Sequence, residues 1–200
     1  LLEVGLGGEF DATNIIQNPA VSIITSISFD HKEYLGESIS KIAKAKAGII
    51  KKNVPTIISK QSSVVRKIIK EKCKENGSDA IWSEEGFTVS ISRKSIIQKD
   101  SHRNIEFPFP NLTGTHQVMN ALTAISTLTH LNIPDKYICE GLKSVYWPAR
   151  LQKIENGSLY ELITSYNIKN QLWVDGGHNE DASVQLRNSM GFINLSLIHI

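Results

Sequence analysis

Cysteine is scarce in this sequence, and the two cysteines present form no recognisable motif. Neither Cys73 nor Cys139 lies in a Cys-x-x-Cys pair or near a histidine at the spacing of a metal site. Disulfide-stapled scaffolds and zinc modules depend on such spacings, so the pattern disfavours both classes. We expect two free thiols and a reducing, cytoplasmic location.

An excess of one charge and a long apolar run are lacking as well. The 200 residues include 22 basic and 20 acidic side chains, a formal net charge of +2, with no basic block. We therefore expect no nucleic-acid partner. No apolar run approaches the ~18 residues that span a bilayer, so we expect no membrane partner. The length suffices for one globular domain and part of another.

Short apolar runs alternate with amphipathic stretches over the first half of the chain. Strands are predicted at 21–27, 54–59 and 79–83, where β-branched residues follow one another as in strands buried on both faces. Helices are predicted at 37–53 and 62–77, and Gly77 ends the second. This alternation indicates an α/β fold with a mostly parallel sheet, whose ligands bind at the carboxyl ends of the strands.

The pattern of apolar and polar residues changes after these three strands. Residues 86–109 alternate between apolar and polar, which predicts a small antiparallel excursion. Two helices are predicted next, at 113–132 and at 134–145, the second with Pro134 in its first turn.

A domain boundary is predicted near Trp147. The segment 171–189 reads as strand, glycine loop and helix, the start of a second α/β unit. We therefore assign 1–146 to the first domain and 147–200 to the second. The last stretch, 190–200, does not fit the pattern and carries no weight.

Two polar residues follow predicted strands and are candidate metal ligands. Glu3 comes after two leucines, at the apparent end of an apolar strand, and His31 follows the strand at 21–27. A buried carboxylate needs a partner. The glycine-rich stretch after Glu3 could satisfy it through backbone N–H groups, and a lone histidine is commonly a surface residue. Alternatively, the two side chains hold a divalent cation whose shell is completed by phosphate and water.

Lys46 and Asn120 lie on predicted helices, and their spacing leaves their roles open. Lys46 suits the last turn of a helix as a solvated cation, and spacing does not distinguish it from Lys44. His116 and Asn120 are four residues apart on one helix face, with Gln117 close by. The amides could bind an adenine or each other equally well.

The predicted boundary carries three further candidates. Arg150 lies at the proposed hinge, where an arginine can reach phosphates with two donors. Asp175 follows an apolar strand and precedes two glycines and His178. Polar clusters in both domains imply a site in the cleft between them.

Six segments in sequence resemble the folylpolyglutamate synthase and dihydrofolate synthase family of Mur-type ATP-dependent amide ligases. They span roughly residues 1–185 and read EVGLGGEFDATN, SISFDHKEYLG, IAKAKAGIIKKNVP, LTGTHQVMNA, WPARLQ and WVDGGHN. The resemblance implies a central ATPase domain followed by the start of a Rossmann-like C-terminal ligase domain. It also implies a monomer that uses ATP and Mg²⁺ to join L-glutamate to dihydropteroate or tetrahydrofolate through an acyl phosphate.

The resemblance assigns roles to the candidate residues. Glu3 and His31 resemble the magnesium ligands, and Lys46 resembles the family's carbamylated lysine. Asn120 and Arg150 resemble ATP contacts. Asp175 resembles the ribose-binding residue. His178 lies beside it and, with Lys46, is a candidate catalytic residue.

Departures from the family pattern and competing assignments remain. A G-x-x-x-x-G-K-[ST] phosphate loop is missing, so we expect it and the first strands to precede this chain. Glu9, Ala149 and Gly177 stand where the family commonly has arginine, glycine and alanine. The alternatives are a cell-wall UDP-muramyl peptide ligase and a non-catalytic α/β fragment.

Overall fold

A three-stranded parallel sheet forms the centre of the computed structural model, which describes residues 1–90, 93–99, 104–166 and 171–190. Its strands are β1 (Ser22–Ile24), β2 (Thr56–Ile58) and β3 (Ala80–Trp82), in the order β1-β2-β3. The middle strand is buried along its whole length. This matches the run of β-branched residues that predicted it, and the α/β prediction is confirmed.

Helices follow the first two strands of this sheet. They are α1 (Lys32–Leu35), α2 (Ile39–Ala47) and α3 (Ser63–Asn76). The helices α2 and α3 were predicted, although α2 ends earlier than expected, whereas α1 was not predicted. Ser38 and Ser62 cap α2 and α3 by accepting backbone N–H groups. Gly77 ends α3 in the left-handed conformation, with a φ of 60°.

An antiparallel sheet occupies the excursion predicted at 86–109. It consists of β4 (Phe87–Ser90), β5 (Ser95–Lys99) and β6 (Asn104–Pro108). The middle strand, β5, was not predicted. Two helices follow, α4 (Thr115–His130) and α5 (Asp135–Ser144), both close to their predicted bounds.

Two hydrophobic cores stabilise these layers. The first lies between the parallel sheet and α2 and α3, around Ile42, Ile58 and Ile69. The second lies between the antiparallel sheet and α4 and α5, around Phe107 and Ile125. Buried hydroxyls connect the sheet to α4, because Thr123 Oγ1 lies 2.6 Å from Ser59 Oγ and donates to Ser83 Oγ over 3.2 Å.

The C-terminal part begins with β7 (Gln152–Ile154), α6 (Ser158–Ser165), β8 (Leu172–Val174) and α7 (Glu180–Met190). β7 and β8 pair antiparallel. The predicted strand, glycine loop and helix are present as β8 and α7, whereas α6 was not predicted. The predicted domain 147–200 and the atypical stretch 190–200 extend beyond residue 190, outside the described residues.

The start of the chain differs from its prediction. Leu1–Val4 form no strand, since none of the described strands offers them a hydrogen-bonded neighbour, and Leu1 and Leu2 are exposed. The glycine stretch that follows packs on the end of α2. A Cβ added at Gly8 would lie 2.9 Å from Ala45 O. Within the described ranges, no helix is long and apolar enough to cross a bilayer.

Candidate functional site

A cleft of about 340 Å³ lies between the two parts of the chain. One wall is formed by the residues after β1 and by the start of α4. The other is formed by the loop before β7 and by the loop between β8 and α7. Its lining includes Thr25, Ser26, His116, Asn120, Arg150 and Asp175. The cleft therefore opens at the carboxyl end of a parallel strand, where ligands of α/β proteins bind.

Asn120 lies one turn into α4 and faces this cleft. Its Nδ2 donates to Gln117 Oε1 over 3.3 Å, and Gln117 is buried. The two amides therefore bond to each other, one of the two possibilities left open by their spacing. Asn120 nevertheless lines the cleft. Its side chain is thus oriented by a neighbour and still accessible to a ligand.

The backbone of the loop before β7 holds Arg150 at the cleft. Ala149 and Leu151 flank it in the left-handed region, with φ of 54° and 46°, which costs non-glycine residues roughly 1–2 kcal/mol each. Two hydrogen bonds and one buried side chain compensate. Ala149 N donates to Gln152 Oε1 over 3.0 Å, Gly176 N donates to Ala149 O over 2.8 Å, and Leu151 is buried.

Asp175 ties this loop to the glycine loop after β8. Its Oδ2 accepts Leu151 N over 2.8 Å, and its Oδ1 accepts Gly177 N over 2.7 Å. A Cβ added at Gly177 would lie 2.8 Å from both Asp175 Oδ1 and Ala182 Cβ. The loop therefore has no room for a side chain at 177, which is consistent with glycine here in place of the alanine common in the family.

His116 also faces the cleft, although the sequence analysis assigned it no role. Its Nδ1 is buried and has no hydrogen-bond partner in the described part of the chain. Burial lowers the pKa of the imidazole. Asp175 and Asp181 oppose that shift, and Arg150 adds to it. The lowered pKa favours the neutral ring at the cleft wall. The signal for it was its position four residues before Asn120.

Neither of the two predicted metal ligands is among the residues that line the cleft. Glu3 is exposed, in the irregular segment before the glycine loop. His31 has a φ of 48° at the start of α1, and its Nε2 lies 3.8 Å from Asp30 Oδ2. No group of three His, Cys, Asp or Glu side chains that could hold a metal occurs among the described residues. A metal on Glu3 and His31 would therefore need further ligands from outside the described residues.

The glycine stretch binds a different carboxylate from the one considered in the sequence analysis. Gly5 N and Leu6 N donate to Asp11 Oδ2 over 3.1 and 2.9 Å, and Thr13 Oγ1 donates to Asp11 Oδ1 over 2.6 Å. The Thr13 hydroxyl, followed by the backbone donors, lowers the pKa of Asp11 to about 2. These two backbone N–H groups thus donate to Asp11 and not to Glu3, which is exposed.

Lys46 lies beside the glycine stretch, and His178 lies in the loop between β8 and α7. The Lys46 carbonyl oxygen would meet a Cβ at Gly8 at 3.0 Å, so the last turn of α2 touches the glycine stretch. Lys46 is half-buried and Lys44 is exposed, a difference that spacing could not reveal. His178 is exposed, and its Nδ1 lies 3.1 Å from Gly176 O.

Asn179, next to His178, belongs to the lining of the cleft, although the sequence analysis did not assign it. Its Oδ1 accepts Ala182 N over 2.8 Å and so caps the start of α7. The nearby motif around Asp175 was the signal that could have identified it.

Together these elements define an α/β protein with a cleft between the end of its parallel sheet, the start of α4 and the segments around β7, β8 and α7. The chain belongs to the Mur ligase family, because its residues 1–128 match the model of the Mur ligase middle domain. The predicted fold class is thereby confirmed.

Individual relatives indicate which branch of the Mur ligase family this chain resembles. The chain is 35% identical to a dihydrofolate synthetase of Saccharomyces cerevisiae over an alignment of 197 positions that covers 93% of this chain and 44% of the yeast protein. It thus spans less than half of that relative. This similarity agrees with the branch of the Mur ligases that the six segments resemble.

Solved structures agree with this branch. Escherichia coli FolC in complex with DHPP and ADP superposes with a TM-score of 0.77 at 26% identity, covering 95% of this chain and 42% of that one. A bifunctional folylpolyglutamate synthase/dihydrofolate synthase with Mn, AMPPNP and L-glutamate bound has a TM-score of 0.75 at 27% identity, covering 95% and 42%.

Proposed function

We propose that this chain is part of an ATP-dependent ligase that joins L-glutamate to dihydropteroate, to tetrahydrofolate or to both. The enzyme is proposed to be monomeric and cytoplasmic. The observation that carries the proposal is the convergence of Asn120, Arg150 and Asp175 in one cleft, although they come from three separate segments. Similarity to proteins named for this activity supports the same assignment.

ATP is the proposed occupant of the cleft. Arg150, exposed on a loop held by backbone contacts, can donate to phosphate oxygens through its fork of N–H groups. Asn120 can bond an adenine edge. Asp175 accepts two backbone N–H groups, and an ionised carboxylate has about four acceptor sites, so ribose hydroxyls can still donate to it.

A divalent cation, Mg²⁺ in the proposed enzyme, would be held by Glu3 and His31 together with phosphate and water oxygens. Carboxylate and imidazole are suitable donors for such a mixed shell. When bound, the cation would screen the phosphate charge. A structural neighbour that carries Mn supports a divalent metal in general. Lys46, proposed to be carbamylated, and His178 remain the candidate catalytic residues.

The proposed reaction requires two anions to meet. A substrate carboxylate oxygen attacks the terminal phosphorus of ATP, ADP leaves, and an acyl phosphate forms. The amino group of L-glutamate then attacks the acyl carbon, inorganic phosphate leaves, and the amide is made. Arg150 would stabilise the transferred charge, and a closed cleft would keep water from hydrolysing the acyl phosphate.

The test is phosphate release by the longest natural protein that contains this chain, because its relatives are about twice as long. With Mg²⁺ and ATP, release should require both L-glutamate and a pteroate or folate. Release that instead requires a UDP-muramyl peptide would overturn the folate assignment in favour of a cell-wall ligase. Nucleotide binding without phosphate release on any acceptor would favour a non-catalytic module.

A matched pair of variants tests the cleft itself. Arg150→Gln should weaken binding of a non-hydrolysable ATP analogue about tenfold or more, since a charge-assisted hydrogen bond contributes roughly 1.5–3 kcal/mol. Lys153→Gln removes the same charge three residues away. Lys153 pairs with Glu155 at 2.7 Å and lies outside the cleft lining, so its variant should bind within about twofold. Equal losses in both variants would contradict the proposed role of Arg150.

A further inference from the structure

One side-chain hydrogen bond joins the two parts of the chain beside the cleft. Asn179 Nδ2, in the loop between β8 and α7, donates to Asp30 Oδ2 over 3.2 Å. Asp30 lies in the loop between β1 and α1, 149 residues earlier, and the bond is partly buried. Asn179 itself lines the cleft. The bond therefore fixes the distance between the two loops next to the proposed nucleotide site.

Each partner is oriented by its own segment before it meets the other. Asp30 Oδ1 accepts His31 N over 3.0 Å, and Asn179 Oδ1 accepts Ala182 N over 2.8 Å. Because the Asn179 oxygen is occupied by a backbone donor, its amide nitrogen must face Asp30. The second oxygen of Asp30 is the acceptor available to it. The pair is thus preorganised, so little side-chain entropy remains to be lost when the two parts come together.

The bond also reaches residues that carry the proposed chemistry. His31 Nε2 lies 3.8 Å from the same Asp30 Oδ2 that accepts Asn179. On the other side, Asn179 caps the start of α7, which packs against the start of α4. There a Cβ at Gly114 would lie 3.1 Å from Ser189 Oγ. Movement of the loop between β8 and α7, together with α7, would therefore alter the surroundings of both His31 and the start of α4.

We propose that Asp30 and Asn179 form an interdomain latch and act as positioning residues for the ligase reaction. The latch sets the register in which Arg150 and Asp175 face Asn120 across the cleft. The role of the latch in holding the two loops together does not depend on the proposed function, whereas its effect on the ligase reaction rests on that function. Opening of the latch would admit water to the acyl phosphate and waste ATP.

Exchanging the two side chains tests this proposal. Asn179→Asp keeps an oxygen for Ala182 N but places a second carboxylate against Asp30, so the latch breaks while the cap remains. Asp30→Asn keeps an oxygen for His31 N but turns an amide toward the Asn179 amide. The double variant Asp30→Asn/Asn179→Asp restores one donor and one acceptor in reversed order. Ser183→Ala, whose hydroxyl donates only to Glu180 O in the same helix, is the matched control.

Hydrogen exchange of the α7 amides is the first readout, and it does not depend on activity. Both single variants should exchange about tenfold or more faster than the native protein, and the double variant and the control should stay within about twofold. Unchanged exchange in the single variants, or a double variant as fast as they are, would overturn the latch.

Turnover of the longest natural protein is the second readout. The single variants should release more phosphate per amide formed and lower kcat more than they raise the KM for ATP, and the double variant should recover. Rescue of exchange without rescue of turnover would overturn the positioning role and assign Asp30 a charge effect on His31. Normal latch behaviour in a native protein without ligase activity would refute the proposed function alone.

Discussion

Replacing Thr123 by valine should destabilise the protein far more than its single lost hydroxyl suggests. The Thr123 hydroxyl lies 2.6 Å from Ser59 Oγ and 3.2 Å from Ser83 Oγ, where β2 and β3 end against α4. Ser59 is 2% exposed and Ser83 is 0% exposed, so water cannot replace the lost partner. Valine has nearly the same shape, and the change therefore isolates the hydrogen bonds from packing.

The magnitude follows from the groups left behind. A buried hydroxyl without a partner costs about 1–3 kcal/mol, and two are stranded here. The additional methyl group returns about 0.8 kcal/mol through burial. The net loss is about 3 kcal/mol, a large fraction of the roughly 5–15 kcal/mol that stabilises a typical domain.

Equilibrium urea unfolding of the full chain measures this loss. Thr127→Val is the matched control, because Thr127 is equally buried on the same helix but its hydroxyl donates only to Thr123 O, 2.8 Å away. It should lose at most about 1 kcal/mol. Adding Ser59→Ala and Ser83→Ala to Thr123→Val should recover most of the loss, since no hydroxyl is then stranded. Equal losses at positions 123 and 127, or no recovery in the triple variant, would refute the reasoning.

Two further predictions concern titration. Thr13→Val should raise the pKa of Asp11 from about 2 toward 3.8, because the Thr13 hydroxyl contributes most to its depression. NMR titration of the carboxyl carbon measures this, and an unchanged midpoint would assign the depression to the backbone donors alone. His116 has a pKa below 6.5 because burial disfavours the charged ring. The unfolded chain therefore binds more protons, and stability present above pH 6.5 is lost as the pH falls toward the folded-state value. Urea unfolding at pH 7.5 and 5.5 should reveal this loss and its reduction in His116→Gln; an equal loss in that variant would exclude His116 as its source.

The sequence predicts the parallel sheet well because burial on both faces leaves a continuous apolar run, as in β2. It misses α6 because that helix has no buried residue to impose a pattern. It also misses β5, in which two of the three buried positions, Ser95 and Gln98, are polar and obscure the apolar pattern of a strand.

The candidate site was only partly predictable. Motif order suggested Asn120, Arg150 and Asp175, and all three line one cleft. The contact between Asp30 and Asn179 depends on how two distant loops meet, which no local pattern encodes. Likewise, only the fold reveals that the glycine stretch is bound to Asp11. The roles of Glu3, His31, Lys46 and His178 remain predictions.

The carboxylate of Asp11 places a negative charge on the glycine stretch, where free backbone N–H groups would have favoured an anion. Free N–H groups of such a stretch would attract an anion, but those of Gly5 and Leu6 already bind Asp11. Because Asp11 has a pKa of about 2, its negative charge persists at any physiological pH. A phosphate group near this stretch would therefore need a bridging cation, such as the one proposed on Glu3 and His31, whereas the guanidinium of Arg150 can bind one directly.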